Sequence, residues 1–157
     1  MHEEAKHRVE LTAYQLADRF TGIEEVPGSV DNPQVMAMLR LDQSWPEGDE
    51  VPWCSAFTNY VCWLLRLPRS KSLRARSWLW CGWPVPLEAA AVGFDVVVLN
   101  RGPAPQPGPE VLEAPGHVGF YGGHEGSEVL ILGGNQSNRV SLARYPVSRV
   151  LGVRRLY

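Results

Sequence analysis

The hydrophobic pattern of the first half of the chain is helical. Apolar residues recur there at three- and four-residue steps, which places them along one face of a helix. These steps, with the cap and proline residues that flank them, predict three α-helices: Glu3 to Phe20, Pro33 to about Leu41, and Pro52 to Leu67. The third is apolar nearly all round, as a helix at the centre of a fold would be. A shorter helix is predicted from Leu73 to Trp80.

The second half of the chain carries short apolar or alternating segments, which are typical of β-strands. Asp95 to Leu99 is a continuous β-branched run, and we interpret it as a buried strand. The proline-rich segment from Asn100 to Gly116 is predicted to be an extended surface loop. Four more strands are predicted: His117 to Tyr121, Glu128 to Leu132, Val140 to Tyr145, and Val150 to Tyr157. Helices followed by an antiparallel sheet of about five strands make an α+β fold.

The composition limits the classes of protein that remain. A length of 157 residues suits one domain over 1–157, and a net charge of −2 gives no reason to expect nucleic acid or an anionic membrane as a partner. No apolar run approaches the ~18 residues of a membrane span. The first six residues lack the apolar core of a signal peptide. We therefore expect a protein made in the cytoplasm that reaches any other compartment by delivery.

The three cysteines, Cys54, Cys62 and Cys81, cannot all pair within the chain, and none forms a Cys-x-x-Cys motif. This argues against a disulfide framework and against a zinc site. Cys54 stands apart because it falls in the first turn of the predicted third helix. There the unpaired N–H groups and the positive end of the helix dipole favour a thiolate, which makes Cys54 a candidate nucleophile. The alternative is a small buried apolar residue, as most free cysteines are.

His117 and Asn135 are the candidates to assist such a nucleophile. On its strand, His117 shares a face with Gly119, and a helix packed there would bring Cys54 close. If the hairpin turns over residues 122–127, Asn135 lies just past the residue opposite His117. Its amide oxygen would then accept from the imidazole N–H and fix the tautomer and direction of the ring. Taken singly, the two residues have simpler interpretations, a strand-end histidine and a turn residue.

Cysteine, histidine and asparagine in this chain order are the arrangement of papain-like cysteine hydrolases. The chain resembles the papain-like cell-wall hydrolases of bacteria and their phages, the NlpC and CHAP group, and is most similar to a compact single-domain branch. The resemblance covers almost the whole chain, in segments 22–28, 52–57, 75–79, 116–121, 132–136 and 149–155. The sets Trp-Cys-Ser-Ala-Phe, Gly-His-Val-Gly-Phe-Tyr and Gly-Gly-Asn-Gln within them are specific when taken together. One departure is Phe94, inserted where the group usually has Pro-Gly-Asp before the buried strand.

This resemblance implies a papain-like fold and a bacteriolytic peptidoglycan hydrolase, such as an endolysin. It would be an amidase or endopeptidase that cleaves an amide bond in the peptide part of the cell wall. Cys54 would be the nucleophile, His117 its acid and base, and Asn135 would orient His117. Candidates for oxyanion or substrate contacts are Gln43, chosen by residue type alone, Trp53 and Ser55. No metal and no other cofactor is expected.

The expected substrate is the peptide stem of peptidoglycan, met in the periplasm or at the cell wall after delivery or lysis-linked release. A delivery machine or an immunity protein would be a protein partner, and the chain itself is expected to be a monomer. Two other classes remain open. One is a non-catalytic wall-binding or assembly module, which an unreactive Cys54 would reveal. The other is a further acyl-transfer enzyme of this fold, a protein deamidase or transglutaminase, which substrate profiling would reveal.

Overall fold

The computed structural model describes residues 10–26, 31–46 and 52–157 as an α+β fold. Within these ranges the α-helices are α1 (Ala13–Asp18), α2 (Pro33–Leu39) and α3 (Cys54–Leu65). Short 3-10 helices cover Ala75–Trp80, Leu87–Ala89 and Val147–Arg149. The strands are β1 (Trp83–Val85), β2 (Asp95–Asn100), β3 (Gly116–Glu125), β4 (Glu128–Gln136), β5 (Arg139–Pro146) and β6 (Val150–Arg155). No helix of the described ranges is both long enough and apolar enough to cross a membrane.

The six strands in the described residues form one open antiparallel sheet in the order β1-β6-β2-β3-β4-β5. The strand that the sequence pattern missed is β1, which is three residues long and has Pro84 at its centre. Proline has no N–H to donate to a ladder, so it is confined to edges such as the one that β1 forms. So short a segment with a central proline resembles a loop in the sequence.

The hairpin between β3 and β4 is longer than predicted. β3 continues past Tyr121 and reaches a turn at residues 126–127, with a bulge at the glycines that follow Tyr121. Leu132 therefore lies opposite Phe120, not opposite His117 as a shorter hairpin would require. The predicted register is wrong because Gly122 and Gly123, which resemble a turn in the sequence, belong to β3.

β4 also continues farther than predicted, to Gln136, and the turn into β5 is only Ser137-Asn138. Both turn residues have positive φ, 53° and 61°, as the two central residues of a type I′ turn require. The β4–β5 register shifts between Gly133 and Gln136, and Asn135 inside this irregularity has a φ of 56°. Residues 133–136 thus belong to β4, whereas the sequence pattern ends this strand at Leu132 and predicts a turn from Gly133 to Arg139.

Side-chain caps begin the first two helices, and of these the sequence pattern predicted the one of α2. Thr12 accepts from the N–H of Gln15 and Gln15 from that of Thr12, a capping box that starts α1. Residues 1–9, which include the start of the predicted first helix, lie outside the described residues, and residues 10–12 are not helical, so α1 begins later than predicted. Asn32 caps α2 by accepting from the N–H of Gln34, and proline takes the first helical position.

The third helix lies in the core up to Cys62, as its apolar pattern predicts, while Trp63 and Leu64 after it are exposed. α3 begins at Cys54, two residues later than Pro52, and Asp49, the expected cap, lies outside the described residues. The helix packs on the sheet face that carries Phe120, whose ring meets that of Phe57 edge to face at 6.4 Å. The prediction that it covers the face of His117 is wrong, because that face packs in a second apolar cluster.

Candidate active site

Cys54 is the first residue of α3, so its side chain lies where the helix begins. The N-cap residue is Trp53, which makes no side-chain hydrogen bond to the helix. Because the first N–H groups of a helix have no partner within it, those of α3 are left to stabilise negative charge nearby. Gly134 of β4 allows the close approach of sheet and helix, since a Cβ there would lie 2.7 Å from Phe57 and 2.8 Å from Trp53.

Opposing effects act on the pKa of the Cys54 thiol. Burial has the largest effect and raises the pKa, since the residue is only 3% exposed. The hydrogen bond and the charge of His117 lower the pKa, as do the backbone N–H groups of Val118 and Ser55. The lowering contributions prevail together, and the pKa of Cys54 lies below its ordinary value. A thiolate is therefore favoured at a place where burial alone would favour the thiol.

His117 lies near the start of β3, and Gln136 holds the imidazole at its Nε2 atom, 2.9 Å from Gln136 Oε1. The orientation of the Gln136 amide is fixed because its nitrogen donates to the carbonyls of Ile131 at 3.2 Å and Ser141 at 2.6 Å. Its oxygen must therefore face the imidazole and accept from the Nε2–H. This tautomer leaves Nδ1 without a proton and available to accept one from Cys54, whose pKa His117 lowers.

The hydrogen bond that the sequence assigned to Asn135 is made by the next residue, Gln136. Asn135 lies in the irregular end of β4 with a left-handed backbone, and no hydrogen bond joins it to His117 within the described chain. The irregularity breaks the alternation of the strand, so the buried polar position falls on Gln136, which is 5% exposed. The expectation of an amide partner from this end of β4 holds, while the residue named for it is wrong.

Tyr145 of β5, which no sequence pattern singled out, completes the surroundings of His117. Its hydroxyl donates to Gln136 Oε1 at 3.1 Å, and its ring centroid lies 5.3 Å from that of the imidazole. The guanidinium of Arg149 lies over the Tyr145 ring, 5.2 Å from the centroid. Burial raises the pKa of Tyr145 against the opposing charge of Arg149, so the hydroxyl stays protonated near neutral pH. No local motif marks this tyrosine, because only the folded hairpin brings it to Gln136.

Trp53 and Ser55, two of the predicted contact residues, are occupied by structural hydrogen bonds. Ser55 Oγ donates to the carbonyl of Ser72 at 2.6 Å and accepts from the indole N–H of Trp78 at 2.9 Å. The Trp53 side chain is fully buried, and its indole N–H donates to Glu25 at 2.7 Å. Of these two residues, the group that reaches Cys54 is the backbone N–H of Ser55.

Gln43, the predicted oxyanion donor, is directed elsewhere. Its amide nitrogen lies 3.4 Å from the carbonyl of Lys71, and Gln43 is not among the described residues that line the cleft at Cys54. His124, the other histidine of β3, is exposed near the turn to β4 and is thus a poor competitor for His117. The structure therefore offers no support for Gln43 as a second donor.

The remaining cysteines have environments unlike that of Cys54. Cys62 and Cys81 are both buried, and burial is the largest of the effects that raise the pKa of each thiol. Within the described ranges, no three histidine, cysteine or acidic side chains are grouped as metal ligands would be. Neither cysteine has a described histidine among the groups that shift its pKa.

A cleft of about 570 Å³ opens beside Cys54. One wall is built from residues 73–75, which lead into the 3-10 helix Ala75–Trp80, and another from the proline-rich loop that follows β2. Cys54 lies among the lining residues, so a ligand in this cleft would lie against Cys54. The volume is in the range of ordinary ligand sites.

No protein-family model matches the chain, and no curated protein sequence matches it. The chemistry that the site can perform therefore follows from its own groups. A thiol with a lowered pKa, an imidazole of fixed tautomer and an open cleft can together perform nucleophilic attack on an acyl group.

Proposed function

We propose that the chain is a cysteine hydrolase, an amidase or endopeptidase, that cleaves an amide bond in the peptide part of peptidoglycan. The observation that carries the catalytic part is the set of Cys54, His117 and Gln136. In this set His117 lowers the pKa of the Cys54 thiol, and Gln136 fixes the tautomer of His117. The choice of peptidoglycan rests on the resemblance of the sequence to cell-wall hydrolases. We also propose that the fold is papain-like, with the nucleophile at a helix N-terminus packed on an antiparallel sheet.

The mechanism begins with attack of the Cys54 thiolate on the carbonyl carbon of the amide. A C–S bond forms, and the carbonyl oxygen becomes an oxyanion to which the backbone N–H of Cys54 at the uncapped helix start would donate. His117, now protonated, transfers a proton to the amide nitrogen, the C–N bond breaks and the amine leaves. His117 then removes a proton from water, which attacks the thioester and releases the acid and Cys54.

Gln136 acts on the reaction through His117. By accepting from Nε2–H, it keeps Nδ1 directed at the sulfur and stabilises the imidazolium that forms when the thiol ionises. This is the part that the resemblance assigned to Asn135, and we propose that Gln136 takes it. No step requires a metal or other cofactor. The substrate lies outside the cytoplasm, so we place the action at the cell wall or in the periplasm, after delivery or lysis-linked release.

Mass spectrometry of muropeptides tests this proposal. Purified sacculi are incubated with the wild-type protein, Cys54→Ala or Cys62→Ala, and the soluble products are identified. We expect new peptide or amine ends with the wild type and Cys62→Ala, and none with Cys54→Ala. Sacculi that stay intact under the wild-type protein would contradict a wall hydrolase.

The same experiment distinguishes the other classes. Binding of the protein to sacculi with no change of mass would indicate a wall-binding or assembly module. Conversion of a carboxamide to a carboxylate in a protein substrate, or a new cross-link between peptides, would indicate a deamidase or a transglutaminase. Each of these results replaces the proposed reaction with another.

A further inference from the structure

The cleft beside Cys54 carries a positive charge that no group in the described part of the chain neutralises. Among the charged residues that line it are Arg74, Arg101 and Glu113. Arg74 and Glu113 form an exposed ion pair at 3.6 Å, so their charges offset each other. Arg101 is exposed and has no ion pair and no side-chain hydrogen bond to the described residues. A guanidinium without a partner, set in a cleft at the nucleophile, is available to a ligand.

Arg101 is held near the reacting groups by the residues that precede it. It follows β2 directly, and Leu99, two residues earlier, lies opposite His117. The carbonyl of Asn100 accepts from Nε and Nη2 of Arg149 at 3.2 and 2.7 Å, which fixes the backbone at the base of Arg101. At a strand rise of ~3.3 Å per residue, the Arg101 backbone lies about 7 Å beyond the level of His117.

The wall of the cleft is fixed by a buried arginine. Arg76 Nη1 donates to the carbonyls of Pro107 at 3.2 Å and Gly108 at 2.7 Å, and its Nε donates to the carbonyl of Pro115 at 3.2 Å. These bonds hold the proline-rich loop, several of whose prolines line the cleft. A rigid, partly apolar wall beside a free guanidinium is a preformed place for a peptide that carries an acid.

We propose that this cleft selects an acidic peptide segment, with Arg101 binding a carboxylate within about two residues of the amide bond that Cys54 attacks. Arginine suits this part because its planar guanidinium binds a carboxylate with two parallel hydrogen bonds. The chain as a whole has a net charge of −2, so the attraction is local to the cleft. The inference rests on the proposed function and refines it, since it specifies stem peptides with free carboxylates over the same peptides with amidated ones.

Binding to an inactive protein tests the inference separately from catalysis. The probes are one synthetic peptidoglycan stem peptide with free carboxylates and the same peptide with those groups as carboxamides. Titration calorimetry with Cys54→Ala should give a dissociation constant about 10- to 100-fold lower for the acid form. The preference should shrink as salt is added, because the interaction is ionic.

Three further variants on the Cys54→Ala background assign the preference to a residue. Arg101→Gln should reduce it to less than about 3-fold, while Arg74→Gln should keep it because Arg74 is already paired with Glu113. Arg144→Gln, which removes an exposed charge paired with Glu125 at the far hairpin, is the matched control and should change nothing. Equal binding of the two peptides, binding of neither, or loss of the preference in Arg74→Gln alone would overturn the inference.

Hydrolysis of sacculi by the wild-type protein then separates the two proposals. Release of muropeptides without a preference for the acid peptide would leave the proposed function standing and the role of Arg101 refuted. Preferential binding of the acid peptide without any hydrolysis would support the cleft as drawn and refute the hydrolase.

Discussion

The pKa values of the two cysteines of α3 are shifted in opposite directions although both residues lie on one helix. Cys54 opens α3, and Cys62 lies about two turns later, ~12 Å along the axis. Both are buried, with exposed fractions of 3% and 0%. The pKa of Cys54 is lowered, whereas that of Cys62 is raised. Because burial raises the pKa of both thiols, the difference must come from their partners.

The partners differ because the start and the interior of a helix leave different groups free. At the start, N–H groups are unpaired and His117 reaches the sulfur. In the interior, the backbone around Cys62 is engaged in the helix, and the thiol has another cysteine, Cys81, as its neighbour. Cys81 raises the pKa of Cys62 further, and the charge of Arg69 only partly opposes it. The place in the fold thus decides the direction of the pKa shift, since the two residues are of the same type and both are buried.

The clefts at the two ends of α3 extend the comparison. The larger, about 860 Å³, lies at the C-terminal end, and its lining includes Cys81, Trp63 and Trp80. Its described lining residues contain a cysteine and several cations but no histidine and no carboxylate. The smaller cleft contains Cys54, whose pKa His117 lowers. The candidate active site is therefore identified by its chemistry and not by its volume.

The largest expected effect is the difference in rate between alanine variants of the two α3 cysteines. Cys54→Ala removes the nucleophile and should lower the release of soluble muropeptides at least about 1,000-fold. Cys62→Ala removes a buried sulfur that takes no part and should keep the rate within about 3-fold, with a small loss of stability. Thermal unfolding of both variants checks that they fold. Equal loss of activity in two folded variants would contradict the contrast between the cysteines.

Alkylation compares the two thiols directly in the unmodified protein. Iodoacetamide reacts with thiolates, so Cys54 should be labelled at least about 100-fold faster than Cys62 or Cys81 at neutral pH. Because the pKa of Cys54 is lowered, its labelling rate should rise with pH and level off below the ordinary titration range of cysteine. The raised pKa of Cys62 keeps it a thiol throughout. Peptide mapping measures this order, and earlier labelling of Cys62 would refute it.

Cys54 and His117 were predictable because local features mark them. Cys54 follows Pro52 at the start of an apolar run, a pattern typical of a helix N-terminus. His117 begins an alternating segment, a pattern typical of the end of a strand. Neither conclusion depends on how distant segments pair. For the same reason α2, α3, the buried strand β2 and the long proline-rich loop lie near their predicted bounds, whereas within the described residues the first helix covers only Ala13–Asp18 of the predicted span.

Variants of Gln136 and Asn135 test which of the two residues orients the His117 imidazole beside Cys54. Gln136→Ala removes the acceptor for Nε2–H and should lower the rate about 10- to 100-fold, with the pKa of Cys54 moving back up as His117 is freed. The control is Asn135→Gly, which keeps the left-handed backbone at that position and should stay within about 3-fold. Rates and the pH profile of alkylation measure the two effects. A larger loss in Asn135→Gly than in Gln136→Ala would restore the asparagine to this part.

Gln136 was not predictable because its position depends on register. Two glycines after Tyr121 resemble a turn but form a bulge, and the true turn between β4 and β5 is the pair Ser137-Asn138. Each misplaced turn shifts every later pairing, and a shift of one residue exchanges the two faces of a strand. Asn135 and Gln136 are adjacent and both carry a side-chain amide. Without the register, the sequence does not show which of the two amides faces His117.

Tyr145 gives the smallest and most discriminating effect. Its hydroxyl and the Nε2–H of His117 donate to the same oxygen of Gln136, at 3.1 and 2.9 Å, so Tyr145→Phe removes one of two donors but keeps the aromatic contact with the imidazole. We expect a loss of about 2- to 5-fold in kcat with KM unchanged, because the hydroxyl positions Gln136 and does not touch the substrate.

Tyr145→Ala also removes the ring that packs against His117 and should cost more than Tyr145→Phe. The pKa of Cys54, followed by alkylation, should rise less in Tyr145→Phe than in Gln136→Ala, since the amide still accepts from the imidazole. If Tyr145→Phe matched Gln136→Ala in both rate and pKa, the hydroxyl itself would be the essential group, and the assignment of the orienting part to Gln136 would be wrong.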